Sequence, residues 1–194
     1  MDGIFAEHLL TIRKELKKKL SPSRYEHTLG VSFTSAALAM RYGENIEKAE
    51  LAGLLHDCGK YGTEESLVEK CDRHGVFLSR EDLSSPAVIH GKYGCYLAKT
   101  RFGVRDADIL NSISYHTTGR AGMSLLEKIV FIADYIEPSR DKAPDLPSIR
   151  ELAFTDIDRC MYEILEGTVA YLEEKGVHIH KDTLSARDWF KKNM

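Results

Sequence analysis

The sequence is poor in cysteine and proline, and it contains no long hydrophobic run. Its four cysteines lie far apart without a CxxC pair, which argues against a zinc ribbon and a disulfide framework, so we expect buried or unreactive thiols. No apolar stretch approaches the ~20 residues that a membrane-spanning helix needs. The N-terminal residues do not resemble a secretory signal, because the lysine-rich stretch follows the short apolar run. We therefore expect a cytoplasmic protein.

The chain also lacks a strong excess of charge, with a formal net charge of −3 at pH 7. This balance gives no net attraction to nucleic acid or to an anionic membrane, so neither is expected as a partner. The lysine run at residues 17–19 is interpreted as the solvated face of a first helix. An anionic ligand would therefore have to be held by local positive charge.

Length and composition favour one compact domain over residues 1–194. Hydrophobic residues make up 43% of the chain and charged residues 29%, which is typical of an ordinary folded protein. A chain of this length can bury one well-filled core, and nothing in its composition marks a domain boundary.

Signals for helix starts and ends recur along the chain. Ser-Pro pairs precede two helical patterns, over residues 22–42 and 86–102, and a glycine closes each of them. Ser124 and Glu127 form a capping box ahead of an apolar run that Pro138 stops. Further helices are predicted over residues 45–56, 63–75, 106–116 and 156–175, and from residue 183 onward.

No alternation of period two is long enough for a sheet, so the predicted fold class is all-α. Residues 138–147 are expected to form a proline-rich loop. The amphipathic helix over residues 156–175 could pack in the core or against a second copy of the chain in a homodimer. We expect it to pack in the core.

The doublet His56-Asp57 stands at the end of the apolar segment LAGLLHDCGKYG. Neighbouring residues on a helix point about 100° apart, so these two could share an ion only near a helix end, which Gly59 indicates. Asp57 has two carboxylate oxygens and could bridge two ions. Alone, the doublet is a weak indication, because such residues at a helix end are often merely solvated.

Four further residues make metal binding the better interpretation. His27 lies in a helical segment suited to burial, and Asp134 lies in the apolar run FIADYI, where an unpaired carboxylate would be very costly. His90 and His116 could be ligands or hydrogen-bonded core histidines. Imidazoles and carboxylates without a thiolate suit iron, manganese or zinc. With Asp57 bridging, this set could hold two ions that keep positions for water, which would be a catalytic site.

The other histidines are weaker candidates. His8 and His74 occupy charged helical positions and are expected on the surface. His178 and His180 follow a helix stop, where a structural role or a substrate contact is favoured over metal binding.

The candidate ligands occur in the order His27, His56-Asp57, His90, His116 and Asp134. In this order the chain resembles the HD-domain metal-dependent phosphohydrolases, which are a helical superfamily. The two histidines between the doublet and the last aspartate are those of the binuclear members. More narrowly, five segments of the chain resemble the YqeK-type symmetrical bis(5′-nucleosyl)-tetraphosphatases. They are RYEHTLGV, LAGLLHDCGKY, VIHGKYG, ISYHTTGRAGMSLLEKIVFIADYIEPSR and KDTLSAR. The resemblance spans residues 24–140 and returns near the end. It implies hydrolysis of diadenosine tetraphosphate to two ADP molecules by a metal-activated water.

The resemblance also implies the cofactors, which are two divalent or trivalent transition-metal ions, expected to be iron. One ion would be bound by His27, His56, Asp57 and Asp134, and the other by Asp57, His90 and His116. Asp57 and Lys60 would be catalytic. The partner would be a small nucleotide, and its implied contacts are Arg24, Asp57, Lys60, His116, Thr117 and Arg140.

The phosphate contacts also have ordinary explanations from the residues alone. Arg24 and Lys60 could be helix charges, and Thr117 could be a turn hydroxyl. Arg140 could form a surface ion pair with Asp141 or Glu137, a kind of pair that contributes little.

Two other enzymes and one binding module are the alternatives. HDCGK is similar to the HDxGK segment of cyclic-dinucleotide phosphodiesterases, but the Gly-Tyr-Pro tripeptide of that group is absent after the doublet. A guanosine tetraphosphate hydrolase would be separated by product analysis. A non-catalytic helical interaction or nucleic-acid-binding module would need no metal and usually a basic face, which the balanced charge does not favour.

Overall fold

The computed structural model describes residues 3–143 and 145–194, and this part of the chain consists of helices and loops without a strand. The α-helices are α1 Gly3–Lys19, α2 Pro22–Tyr42, α3 Ile46–Leu55, α4 Glu64–Arg73, α5 Arg80–Ser84, α6 Ile89–Thr100, α7 Ala107–Tyr115, α8 Leu125–Ile136, α9 Leu146–Thr155, α10 Ile157–Glu174 and α11 Lys181–Asn193. A 3₁₀ turn, Pro86–Val88, leads into α6. The all-α fold class is confirmed.

Predicted capping residues lie at the ends of α2 and α8. The Ser21 side chain accepts a hydrogen bond from the backbone N–H of Arg24 at 3.3 Å. At the other end of α2, Gly43 has φ +75°, a conformation that L side chains rarely adopt. Ser124 and Glu127 form the reciprocal capping box that begins α8. Local sequence therefore sets the ends of both helices.

Several segments differ from the predicted elements. The sequence pattern does not predict α5 or α9. The proline-rich loop ends earlier than predicted, because Pro147 lies in the first turn of α9, where its missing N–H costs no intrahelical hydrogen bond. The last helix begins at Lys181 instead of Thr183, because the His180 side chain caps it by accepting from the N–H of Asp182 at 3.2 Å.

The core is built around α3, which packs against α2, α7 and α8. Its residues 49–55 are all buried, Glu50 among them, so this stretch of the helix packs against protein on every side. The predicted core packing of α10 is confirmed, since its apolar face is buried within the same chain through Ile157, Cys160, Met161, Ile164, Leu165 and Val169. The end of α3, with His56, lies inside the bundle.

The cysteines and the apolar helices match the expectations from composition. All four cysteines are free, and three of them are buried: Cys58, Cys71 and Cys160. No described helix combines the length and the apolar character that crossing a membrane requires.

Two helical glycines give matched tests of the packing between α6 and α7. A Cβ on Gly91 in α6 would lie 2.7 Å from the backbone oxygen of Ser114, whereas a Cβ on Gly167 in α10 would meet no atom within 4 Å. We expect Gly91→Ala to lower the free energy of unfolding by about 1–3 kcal/mol through overpacking. Gly167→Ala should raise it by up to about 1 kcal/mol through helix propensity. Denaturant unfolding of both variants measures the difference, and equal effects would contradict the close packing at Gly91.

Candidate metal centre

The six predicted metal ligands lie together in the middle of the bundle. They come from α2, the end of α3, α6, the end of α7 and α8, which supply in chain order His27, His56 with Asp57, His90, His116 and Asp134. Five of them are buried, and the side chain of Asp134 is 22% exposed. The fold thus gathers residues that are widely separated in sequence into one cluster with an opening at Asp134.

Backbone carbonyls hold three of the imidazole rings. In His56, His90 and His116, Nδ1 lies 2.7, 2.7 and 2.8 Å from the backbone oxygen three residues earlier. A carbonyl oxygen only accepts, so each Nδ1 donates its proton and the neutral ring keeps a lone pair on Nε2. This is the tautomer that a metal-ligating histidine needs.

The free lone pairs face one another in pairs. Nε2 of His90 lies 3.0 Å from Nε2 of His116, and Nε2 of His56 lies 3.3 Å from Nε2 of His27. Two acceptors at this distance require a cation or a proton between them. Burial lowers the pKa of His90 to about 4, so a proton is disfavoured there at neutral pH. A metal ion would satisfy both lone pairs.

Asp57 lies between the two imidazole pairs. Its Oδ1 is 3.3 Å from Nε2 of His90 and 3.6 Å from Nε2 of His116, and its Oδ2 is 3.5 Å from Nε2 of His56. Oδ1 is buried and makes no hydrogen bond among the described residues. Burial raises the pKa of Asp57, but the surrounding imidazoles, His56 foremost, outweigh burial and hold the pKa well below its usual range. The ionised carboxylate is placed to bridge two cations.

Asp134 completes one side of the cluster. Its Oδ1 lies 3.0 Å from Nε2 of His27 and accepts a hydrogen bond from Nη2 of Arg140 at 2.6 Å. Burial raises the pKa of Asp134, but the contact with His27 and the charges of His56 and His116 together outweigh burial and keep the carboxylate ionised. A surface pair of Arg140 with Asp141 or Glu137 is therefore wrong, because the chain after α8 turns back and brings Arg140 onto the site.

Donor geometry divides the cluster into sets that could each hold an ion. Ligand atoms of His27, His56 and Asp134 lie within 4.8 Å of one another, and so do those of His56, Asp57 and His116. His90 contacts both His116 and Asp57, so it belongs with the second set. Imidazole and carboxylate donors of this kind suit first-row transition metals.

The other predicted substrate contacts border this cluster. Arg24 lies one turn before the α2 histidine, and its Nη1 donates to Oδ2 of Asp57 at 2.8 Å. Lys60 is 41% exposed, and its Nζ lies 3.9 Å from Oδ1 of Asp57. Oγ1 of Thr117 lies 3.3 Å from Nε2 of His90. A cationic side chain therefore lies next to each oxygen of Asp57, Arg24 at Oδ2 and Lys60 at Oδ1.

A cleft of about 410 Å³ opens beside His27 and Asp134. Three of its lining residues are cations, Arg24, Arg140 and Lys142. The lining also includes the carboxylates of Asp134, Glu137 and Asp141, so its formal charges balance and the cleft offers an anion individual cationic groups.

The segment that holds all six cluster residues matches a known protein family. The HD domain family matches residues 24–139, which is more than half of the chain. This chain belongs to the HD-domain family. The resemblance seen in the sequence motifs is confirmed.

Curated relatives of this HD-domain chain include proteins named symmetrical bis(5′-nucleosyl)-tetraphosphatase. The one from Bacillus subtilis (strain 168) is 37% identical over 174 residues, which cover 90% of this chain and 92% of the relative. The one from Staphylococcus aureus (strain NCTC 8325 / PS 47) is 35% identical over 179 residues, covering 90% of each. A crystal structure from Clostridium acetobutylicum, described as a predicted HD superfamily hydrolase involved in NAD metabolism, has a TM-score of 0.91 and 40% identity. The aligned region covers 95% of this chain and 97% of the chain in that crystal structure.

Sequence reasoning missed the part that Glu137 plays in this HD-domain site. Glu137 is 1% exposed, and its Oε1 accepts from Nδ1 of His27 at 3.0 Å. Burial raises the pKa of Glu137, but hydrogen bonds from Ser139 and His27 outweigh burial and lower it. Gly30 makes the approach possible, because a Cβ there would lie 2.5 Å from Oε2 of Glu137. The available signal was its position three residues after Asp134, directly before the Pro138 that stops α8.

Removing Glu137 should weaken metal binding without removing a ligand. We expect Glu137→Ala to lower metal affinity by about 10–100-fold, because Nδ1 of His27 loses the acceptor that orients the ring. Glu137→Gln keeps an acceptor and should lose less. The matched control is Glu127→Ala, which removes a buried glutamate that pairs with Arg120 at the start of α8. Competition against a metal-binding dye measures the affinities, and equal losses in Glu137→Ala and Glu127→Ala would contradict the orienting role.

The remaining histidines lie outside the cluster. His8 and His74 are exposed, as predicted. His180 is buried and caps α11, and the ring of His178 lies 2.9 Å from Glu81. The cap confirms the structural role that was favoured for His180.

Proposed function

We propose that this HD-domain protein is a metal-dependent phosphohydrolase that cleaves diadenosine tetraphosphate and related dinucleoside tetraphosphates symmetrically into two nucleoside diphosphates. The facing imidazoles of His90 and His116 carry the proposal, because their Nε2 atoms are 3.0 Å apart and their Nδ1 protons are already donated to carbonyls. The activity named for the Bacillus and Staphylococcus relatives, which align with 90% of the chain, supports the choice of substrate.

The proposed cofactors are two divalent or trivalent transition-metal ions, with iron as the expected metal. The residues fit such ions, because Oδ1 of Asp57 is buried without a hydrogen bond and the donor set contains imidazoles and carboxylates but no thiolate. The proposed ligands of one ion are His27, His56, Asp57 and Asp134, and those of the other are Asp57, His90 and His116. When bound, such ions supply Lewis-acid catalysis and a nucleophilic water at neutral pH.

The chain's cations would hold the phosphates in place. Arg24 and Arg140 present planar guanidinium groups beside the cluster, and this shape matches two phosphate oxygens at once. Lys60 adds a compact charge that is exposed enough to reach a substrate. The Thr117 hydroxyl is placed to donate to a phosphate oxygen next to His90. Offsetting charge on the phosphates and on the departing group is the principal task of a protein in phosphoryl transfer.

The thiol next to the doublet does not favour a covalent mechanism. Cys58 is buried, and its Sγ donates to the backbone oxygen of Gly94 at 3.4 Å. Burial raises the pKa of the Cys58 thiol far above its ordinary value, so the nucleophilic thiolate is absent at neutral pH. Water is therefore the proposed nucleophile.

Product analysis tests this function. The metal-loaded protein is incubated with diadenosine tetraphosphate, and ADP, AMP and ATP are resolved by anion exchange. ADP as the sole product is the expected result. A mixture of AMP and ATP would contradict symmetrical cleavage. Absence of turnover with metal bound would contradict the substrate, and cyclic dinucleotides and guanosine tetraphosphate would be assayed next.

A further inference from the structure

A second group of cations gathers next to Lys60. Tyr61 follows Lys60 directly, and lysines from two other helices lie over its ring. Nζ of Lys70, from α4, is 4.3 Å from the ring centroid, and Nζ of Lys19, from α1, is 5.3 Å from it. Lys70 also donates to the backbone oxygen of Tyr61 at 3.2 Å. Lys19, Tyr61 and Lys70 form what we name the lysine–tyrosine patch.

The two lysines of the patch have no anionic partner in the described part of the chain. Their contacts there are with the Tyr61 ring and with its carbonyl oxygen. The ring is held at its phenol oxygen, which lies 3.5 Å from the phenol oxygen of the buried Tyr93. A fixed aromatic ring that carries two unpaired ammonium groups is suited to an anion, and phosphate oxygens are strong acceptors for such groups.

The position of the patch relates it to one side of the metal centre. Lys60 approaches Oδ1 of Asp57, the oxygen that faces His90 and His116. Arg24 instead binds Oδ2 of Asp57. Cations therefore lie beside both oxygens of the central carboxylate, and on the Lys60 side the next residue in the chain is Tyr61 of the patch. Central cleavage of a dinucleoside tetraphosphate requires contacts for a nucleotide half on each side of the reacting phosphorus.

We propose that the lysine–tyrosine patch binds the second nucleoside diphosphate half of the substrate, while the cleft with Arg24 and Arg140 binds the first. This inference rests on the proposed function. Lys60 joins the centre to the patch, and Lys70 and Lys19 bind the phosphate oxygens of the second half, with Tyr61 fixing both lysines. The patch thereby favours substrates with two nucleotide halves over mononucleotides.

Charge reversal in the patch tests the proposal. Lys70→Glu and Lys19→Glu are compared with Lys175→Glu, a matched control whose Nζ lies 5.7 Å from the Tyr171 ring at the end of α10. We expect each patch variant to raise KM for diadenosine tetraphosphate about tenfold with little change in kcat, because a charge-assisted contact becomes a repulsion. Lys175→Glu should behave as the wild type. The inhibition constant of inorganic phosphate, which is small enough to occupy the centre alone, should not change in any variant.

The outcomes separate the patch from the proposed function. If the wild type forms ADP and both patch variants keep its KM, the patch is overturned and the function stands. If the patch variants weaken inhibition by inorganic phosphate as much as they raise KM, they act on the centre, and the patch is again overturned. If the wild type forms no ADP from diadenosine tetraphosphate, the function fails and the patch proposal fails with it.

Discussion

Asp57→Ala is expected to remove bound metal and hydrolytic activity together. The two oxygens of Asp57 face different imidazole pairs, one 3.3 Å from His90 and the other 3.5 Å from His56, so the substitution takes a ligand from both proposed ions. It also leaves the four converging imidazoles with Asp134 as the one remaining carboxylate among the six cluster residues. We expect turnover to fall at least about a thousandfold, as when a central catalytic group is lost. Elemental analysis and turnover are measured on the same preparation.

The control for Asp57→Ala is Asp82→Ala. Asp82 is also fully buried and is paired with Lys92 at 2.6 Å, but it does not contact the histidine cluster. Its replacement should lower stability through the unpaired lysine while the protein keeps its metal. Full activity in the Asp57→Ala protein would contradict a bridging role for this carboxylate.

Metal removal is expected to lower the thermal midpoint substantially. A cation would satisfy the facing Nε2 atoms and Oδ1 of Asp57, so metal should bind the folded chain in preference to the unfolded one. At about a thousandfold excess over Kd, such binding contributes about 4 kcal/mol. For a chain of this size this corresponds to about 8–16 °C. Scanning calorimetry of the protein before and after chelation, and after readdition of iron, manganese or zinc, measures the shift.

Two histidine variants show whether the shift arises at the cluster. His116→Ala removes one of the facing imidazoles and should lose much of the metal-dependent shift. His74→Ala removes an exposed histidine that stacks on Tyr96, and it should keep the full shift. A shift of equal size in both variants would mean that metal binds elsewhere on the chain.

The placement of the doublet and of Asp134 at one site was predictable because these residues carry a local signal. A carboxylate within the apolar run of α8 needs a partner, and the His56-Asp57 doublet directly follows the apolar stretch LAGLL at the end of α3. The caps of α2 and α8 were predictable for a similar reason, since Ser21 and Ser124 satisfy backbone donors within a few residues. Such features depend on short stretches of chain, which a sequence shows directly.

The supporting residues were not predictable because they depend on distant parts of the chain. The sequence indicated Glu137 only as a surface partner for Arg140, yet its carboxylate accepts a hydrogen bond from His27, which is 110 positions away in the chain. Arg140 reaches Asp134 only because the chain turns after α8. Lys19 is exposed, as its charged run predicts, and only the packing of α1 brings its Nζ over the Tyr61 ring. Tertiary structure, and not local pattern, determines these contacts.

The central claim is that one cluster of six residues binds two metal ions. Elemental analysis of protein reconstituted with excess iron and freed of unbound metal tests it most directly, with the Asp57→Ala protein treated in parallel. The account predicts about two ions per wild-type chain, the number a bridging carboxylate and two donor sets can hold, and almost none in the variant. Fewer than one ion per chain in the fully loaded wild type, or equal loading of the variant, would contradict it.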